Sequence, residues 1–185
     1  MQVKIILIFL AIYAIAPIHG DFAQDALKRH NEIRKGHGCP DLQLDDELST
    51  DCQAYAKTLS EKGKIEPSNG DGYTENLCIT ILKPIDCLES WYMERALHDY
   101  SAPRLNAETE HFTAMIWKSS TKLGIGLVTK DDNNYVVARY KPKGNVKSEF
   151  KENVPRPTGK ADHATSFSFG VLVLGSVFIQ YFWIP

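Results

Sequence analysis

The stretch Tyr135-Val136-Val137-Ala138-Arg139-Tyr140 constrains this chain more than any other. β-Branched and aromatic side chains dominate it, so it predicts a strand. The preceding Lys122-Leu123-Gly124-Ile125-Gly126-Leu127-Val128 reads as a second strand, with small residues where another backbone approaches closely. Asp131 to Asn134 supplies a polar turn, so the two strands form a hairpin, and Pro142, Gly144 and Asn145 stop it.

The segments before the hairpin are mostly helical in pattern. Phe22 to Arg34 predicts a helix with Phe22, Ala26, Leu27, His30 and Ile33 on one face, Asp21 available as N-cap, and Gly36 and Gly38 ending it. Asn31 falls mid-helix, where an amide is a mediocre helix former, and is expected to turn inward onto a loop. Leu42 to Leu44 is a short extended piece. Asp45 or Asp46 then caps a second helix through Leu48, Cys52, Tyr55, Ala56 and Leu59, closed by Gly63. Lys62 to Tyr73 reads as a loop, with Pro67, Asn69, Gly70 and Gly72 as turn residues. Pro84, Ile85 and Asp86 introduce a third helix carrying Leu88, Trp91, Tyr92 and Arg95, on which Glu94 and His98 are four apart and share a face.

After a polar connection, Glu110 to Ile116 resumes helical spacing and sets His111 at the mouth of an apolar run ending in Trp117. Burial beside Phe112, Met115 and Trp117 is expected to push its pKa down, leaving a neutral imidazole able to accept a hydrogen bond or ligate a metal. A histidine among apolar residues is also commonly a satisfied core residue.

The ends of the chain place it outside the cytosol. Met1 to Gly20, with Lys4, the apolar run Ile5 to Ala16, Pro17 and Gly20, reads as a secretory signal peptide cleaved after Gly20. Its core is shorter than the ~20 residues that span a bilayer. Val146 to His163 is polar and proline-containing, which suits a terminal wrap followed by a flexible stalk, the stalk being set at residues 154–166, and residues 167–185 read as a nearly continuous apolar tail with no basic residue after it. Gly159 to Ser166 offers the small and polar residues of a GPI-attachment signal, which is preferred over a single transmembrane helix. In an oxidising compartment Cys39, Cys52, Cys78 and Cys87 should pair. Three connectivities are possible, and short loops favour Cys39 with Cys52 and Cys78 with Cys87. No C-x-x-C spacing supports a zinc site of four thiolates. With 21 basic and 23 acidic residues, scattered along the sequence, there is no electrostatic footprint for a nucleic acid.

Five stretches, in this order, carry a resemblance: His30-Asn31-Glu32-Ile33-Arg34, Thr74-Glu75-Asn76-Leu77, Trp91-Tyr92-Met93-Glu94, His111-Phe112-Thr113-Ala114-Met115-Ile116-Trp117, and Tyr140 to Asn145. Together they resemble the CAP superfamily of cysteine-rich secretory, antigen 5 and pathogenesis-related 1 proteins, also called SCP or venom-allergen-like. The likeness is strongest to compact members akin to the Golgi-associated plant pathogenesis-related protein, and the domain is expected over residues 21–153. It implies an α/β/α three-layer sandwich with a central, mainly antiparallel sheet. It also implies a cleft of two histidines and two glutamates, of which His111, Glu75 and Glu94 match three. The second histidine is absent from Lys62 to Tyr73, where Glu66 stands nearest its place. A single imidazole among carboxylates loses much of the preference for zinc, so no cofactor is expected. A harder divalent cation, with His111 as a candidate ligand, is the remaining metal reading.

The resemblance further implies a non-enzymatic extracellular binding module for a lipid, such as a sterol or fatty acid, or for a protein partner. It would be secreted or held on the outer face of the plasma membrane. The alternative is a metal-dependent hydrolase or peptidase with Glu75 or Glu94 as base and His111 as acid or metal ligand, but no Ser or Cys nucleophile motif adjoins His111.

Overall fold

Strand β4 (Asn133–Lys141) is apolar on both faces because it lies inside the sheet and is covered on both sides. The computed structural model describes residues 18–159, so most of the expected leader, the apolar tail and the possible anchor-attachment residues after Gly159 lie outside the described residues. Four strands run in the order β1-β3-β4-β2, where β1 is Gln43–Leu44, β2 is Thr74–Thr80 and β3 is Lys122–Lys130. β4 pairs antiparallel with both β3 and β2, and only the two-residue β1 is parallel, on β3. The sandwich expected from the resemblance is therefore present: α2 (Asp46–Lys62) covers one face, and α1 (Ile18–Gly36), α3 (Asp86–Met93) and α4 (Glu110–Ile116) cover the other.

Alternation along β4 divides the core in two. Val136, Ala138 and Tyr140 join Leu123 and Ile125 of β3 under α1, α3 and α4, whereas Tyr135 and Val137 pack with Cys52, Ala56 and Leu59 of α2. This division overturns the expected Cys39–Cys52 disulfide. Cys39 belongs to the first core, where its thiol donates to Ile116 O at 3.1 Å, and Cys52 belongs to the second; both are free and buried. Sequence proximity favoured a bridge that the intervening sheet forbids. Cys78 and Cys87 are disulfide-bonded, with Cα atoms 5.9 Å apart.

The glycines of β3 meet α2. A Cβ at Gly124 would lie 2.7 Å from the carbonyl carbon of Leu48, so only glycine admits the helix at this distance. β1 covers β3 only as far as Leu123, and α2 closes the rest of that edge with side chains. The Gln53 amide donates to Leu127 O and accepts from Leu127 N, both at 2.9 Å, in place of a neighbouring peptide group. Asp45 caps α2 by accepting from Leu48 N at 2.9 Å, and Gly63, at φ 66°, ends it. Asn31 turns inward as expected: its amide donates to Leu42 O at 3.1 Å and accepts from Leu42 N at 2.8 Å.

Three local expectations change. α1 already includes Ile18, so Asp21 lies inside the helix and is not its N-cap. α3 stops at Met93, and Glu94–Leu97 is a 3₁₀ turn that leaves His98 extended at φ −79°, ψ 122°; Glu94 and His98 therefore do not share a helical face. Residues 154–158 are not a free stalk. Val154 is buried, His37 Nδ1–H donates to Pro155 O at 3.0 Å, and Thr158 N donates to Gly36 O at 2.8 Å, which straps this segment to the end of α1.

Candidate functional site

Glu94 ends its helix facing the start of α4. Its Oε2 accepts from the backbone N–H groups of His111 and Phe112, both at 3.1 Å, and its Oε1 accepts from His111 Nδ1–H at 2.7 Å. One carboxylate thus closes the first turn of α4 and fixes the imidazole tautomer. The ring of Trp91 stacks nearly parallel to that of His111, with centroids 6.2 Å apart. With Nδ1 engaged, Nε2 is the ring nitrogen left to meet a ligand.

The expectation of a depressed His111 pKa is overturned. Burial pulls it down, but the hydrogen bond and charge of Glu94, helped by Glu110, outweigh burial and raise it above the ordinary 6.5. The sign for stability follows. The His111–Glu94 contribution is complete below 6.5 and is lost as pH rises through the raised folded value. His30 behaves oppositely. It is fully buried, donates through Nδ1 to Ala26 O at 2.7 Å, and its Nε2 accepts from the Tyr140 hydroxyl at 2.9 Å. Burial, with the charges of Arg34 and Arg29, lowers it to about 4 despite the Ala26 bond, so its stabilising neutral form is lost as pH falls from 6.5 toward 4. An NMR titration of the imidazoles is expected to give a His111 midpoint above 6.5 and a His30 midpoint near 4. A His111 midpoint below 6.5 would contradict the assigned Glu94 contact.

Glu75, on β2, is held differently. Its Oε2 accepts from Arg139 Nε at 2.9 Å and from Ser68 Oγ at 2.8 Å, and its Oε1 accepts from Ser68 N at 3.0 Å. The Arg139–Glu75 pair is nearly closed to solvent, with side chains 6% and 10% exposed. The guanidinium lies between two rings, 4.4 Å from the Tyr73 centroid and 5.2 Å from that of Tyr55. Arg139, Ser68 and Tyr73 were not singled out from the sequence. The available signal was a charge inside an otherwise apolar strand, which burial obliges to find a partner.

His111 and Glu75 both line a cleft of about 500 Å³, with Tyr73, Ser68, Glu110 and Lys143 among its other walls. Asn76, buried on β2, donates to His111 O at 3.0 Å and to the Tyr140 hydroxyl at 3.3 Å. Glu66 is not in the cleft. Its carboxylate pairs with Lys62 at 3.1 Å and Lys64 at 3.5 Å, and only its carbonyl faces inward, accepting from the Tyr55 hydroxyl. His98 is buried against Tyr100 and Phe112, away from the cleft lining. The donor set does not fit a metal: Glu75 is neutralised by Arg139, Glu94 is filled by three donors, and among the described residues no three His, Cys, Asp or Glu side chains converge as ligands. Ser68 donates to Glu75, and that carboxylate is already engaged by Arg139.

A three-layer sandwich with a His–Glu pair at the start of α4 defines the class, and the comparisons agree. The description "Cysteine-rich secretory protein family" (CAP) matches residues 27–140, and the chain belongs to this family. The human Golgi-associated plant pathogenesis-related protein 1 is 37% identical over 144 residues, covering 74% of this chain and 94% of that protein. Secreted protein RBT4 of Candida albicans is 36% identical over 148 residues, but the match spans 74% of this chain and only 41% of that protein. Among solved structures, the hookworm platelet inhibitor shares the fold with a TM-score of 0.56 at 23% identity, over 69% of this chain and 72% of that one.

Proposed function

We propose that this CAP-domain protein is a non-enzymatic binding module that acts outside the cell, at a membrane, and takes up a lipid of the sterol or fatty-acid class. A protein partner is the other ligand class consistent with the family. The observation that carries the reading is a groove of about 1030 Å³ along β3 beyond the reach of β1, lined by α2 and by Ala23 of α1. Ala23, Ala54, Ile125 and Val128 give it apolar walls, and Lys57 and Lys130 stand at its margin. A concavity of this size that sets apolar walls beside polar side chains such as Ser49, Thr50, Gln53 and Thr129 suits an amphiphile. The internally satisfied carboxylates of the His111 cleft support binding over catalysis. A secreted relative supports the extracellular setting.

Lipid extracted from the purified protein and analysed by mass spectrometry is expected to show an enriched sterol or fatty acid. Ala54→Trp, which fills the groove from an exposed helix position, is expected to reduce uptake about tenfold without lowering the melting temperature. Absence of any enriched lipid, together with no binding of added sterol or fatty acid, rejects the lipid reading. Hydrolysis of a peptide or ester library that is lost on His111→Ala in folded protein would favour the hydrolase.

A further inference from the structure

The loop Ser68-Asn69-Gly70-Asp71-Gly72 borders the His111 cleft, and Ser68, Asn69 and Gly70 line it. Asn69 is the one asparagine of the sequence that precedes a glycine. The fold calls for both residues. Asn69 lies in the left-handed region at φ 56°, which asparagine tolerates better than most side chains. A Cβ at Gly70 would run into the Tyr73 hydroxyl. The Tyr73 ring is not free to swing aside, because its centroid lies 4.4 Å from the Arg139 guanidinium and its hydroxyl bonds Ser68 Oγ at 2.8 Å. Position 70 therefore admits only glycine.

Asparagine followed by glycine can react with its own main chain, and the local structure leaves both reacting groups open. Asn69 and Gly70 are exposed, and no hydrogen bond within the described residues engages the Asn69 carboxamide or the Gly70 N–H. With no side chain on Gly70, nothing shields its nitrogen, and the peptide can rotate toward the carboxamide. Asp71 also precedes a glycine, but a carboxylate lacks the leaving group of an amide, and its oxygen lies 3.8 Å from Lys143 Nζ.

We propose that Asn69 is a self-modification site, at which the chain converts to isoaspartate or aspartate without an enzyme and loosens one wall of the His111 cleft. The Gly70 nitrogen attacks Asn69 Cγ. A bond forms between them, the bond from Cγ to Nδ2 breaks, and Nδ2 leaves as ammonia with the proton lost by the Gly70 N–H. Water then opens the cyclic imide at either carbonyl. Cleavage at Cγ restores an ordinary main chain with aspartate at position 69, whereas cleavage at the main-chain carbonyl gives isoaspartate, whose main chain runs through Cβ and Cγ. No oxidant or cofactor is consumed.

Both products place a carboxylate on the cleft wall, and isoaspartate also lengthens the main chain by one carbon between Ser68 and Tyr73. Those two residues are fastened together, and Ser68 further donates to Glu75, from N at 3.0 Å and from Oγ at 2.8 Å. A span closed at both ends cannot take in another main-chain atom with these bonds intact. The strain falls on the hold of Ser68 over Glu75. This site is independent of the lipid groove.

In the test, purified protein is incubated for days at mildly alkaline pH and its proteolytic fragments are mapped by mass spectrometry, with isoaspartate labelled by protein isoaspartyl methyltransferase. Position 69 is expected to show amide-to-acid conversion about tenfold faster, or more, than any other asparagine. Asn69→Gly keeps the left-handed backbone and removes the carboxamide, so it is expected to give no isoaspartate at this position and to melt with the wild type. In the isoaspartate fraction the Ser68 amide is expected to exchange hydrogen about tenfold faster than in fresh protein, whereas Asn69→Asp, which adds the charge on an ordinary main chain, leaves it near the fresh rate. Asn69 that stays intact, or converts no faster than the other asparagines, overturns the site. Unchanged Ser68 exchange in the isoaspartate fraction overturns its effect on the cleft wall, and equal acceleration in Asn69→Asp overturns main-chain lengthening as the cause.

Discussion

Arg34→Met is expected to destabilise the protein by about 3–5 kcal/mol. Arg34 is fully buried and, among the described residues, has no carboxylate partner; its guanidinium is wrapped by main-chain carbonyls. It donates to Pro40 O at 2.7 Å, Met115 O at 3.0 Å, Trp117 O at 2.9 Å, Ser120 O at 2.8 Å and, more weakly, Lys118 O at 3.5 Å. The last turn of α4 and the loop entering β3 thus have their orphan carbonyls satisfied by one side chain of α1. Burial lowers its pKa below the ordinary arginine range, yet a guanidinium with this many acceptors stays charged. Methionine fills the volume but leaves several buried acceptors without donors. For a domain of this size the melting temperature is expected to fall by about 10–15 °C. Arg34→Lys should recover less than half of that, because three tetrahedral donors cannot serve carbonyls arranged around a planar fork. Thermal unfolding followed by circular dichroism decides it, and a methionine variant melting within about 2 °C of wild type contradicts the role.

Arg34 also marks where reading the sequence stops working. Elements whose causes are local were legible: the doubly apolar run of β4, the Asp45 cap, Gly63, the inward turn of Asn31 and the glycines of β3 all follow from patterns within a few residues. What was not legible depends on which groups the sheet separates or unites. Cys39 and Cys52 are near in sequence but lie in different cores, and no spacing rule reports that. Glu94 read as a helix-face partner of His98, yet its carboxylate crosses to His111 because α3 gives way to a 3₁₀ turn. The strap at residues 154–158 has the composition of a linker, and its order comes from acceptors and donors supplied by α1 and His37. The cleft shows the same division. Its matching residues stand in recognisable motifs, while the partners that set their chemistry, Arg139 for Glu75 and the α4 amides for Glu94, are contributed by other elements.

Gly126→Ala is expected to cost about 3 kcal/mol or more, although alanine ordinarily gains about 0.5–1 kcal/mol over glycine inside a strand or helix. The sign reverses because of what the methyl group would meet. A Cβ at Gly126 would lie 2.5 Å from Cys52 O and Gln53 N and closer still to the Cys52 carbonyl carbon. These are backbone atoms in the middle of α2, which cannot rotate aside as a side chain would. The helix must therefore lift from the sheet, stretching the paired Gln53–Leu127 hydrogen bonds and the Lys130 Nζ–Ser60 O contact at 3.2 Å. It also opens gaps around Leu59 and Val137 in the second core. Because Ser49, Gln53 and Lys57 of α2 line the same groove as Ile125 and Val128, the spacing that Gly126 sets is also the width of the proposed lipid site. Gly126→Ala should thus lower the melting temperature and lipid uptake together, whereas Arg34→Met, acting on the opposite face of the sheet, should lower the melting temperature while folded protein retains uptake. Measuring both quantities for both variants separates the two cores, and a Gly126→Ala protein with wild-type stability would show that α2 does not hold the close packing assigned to it.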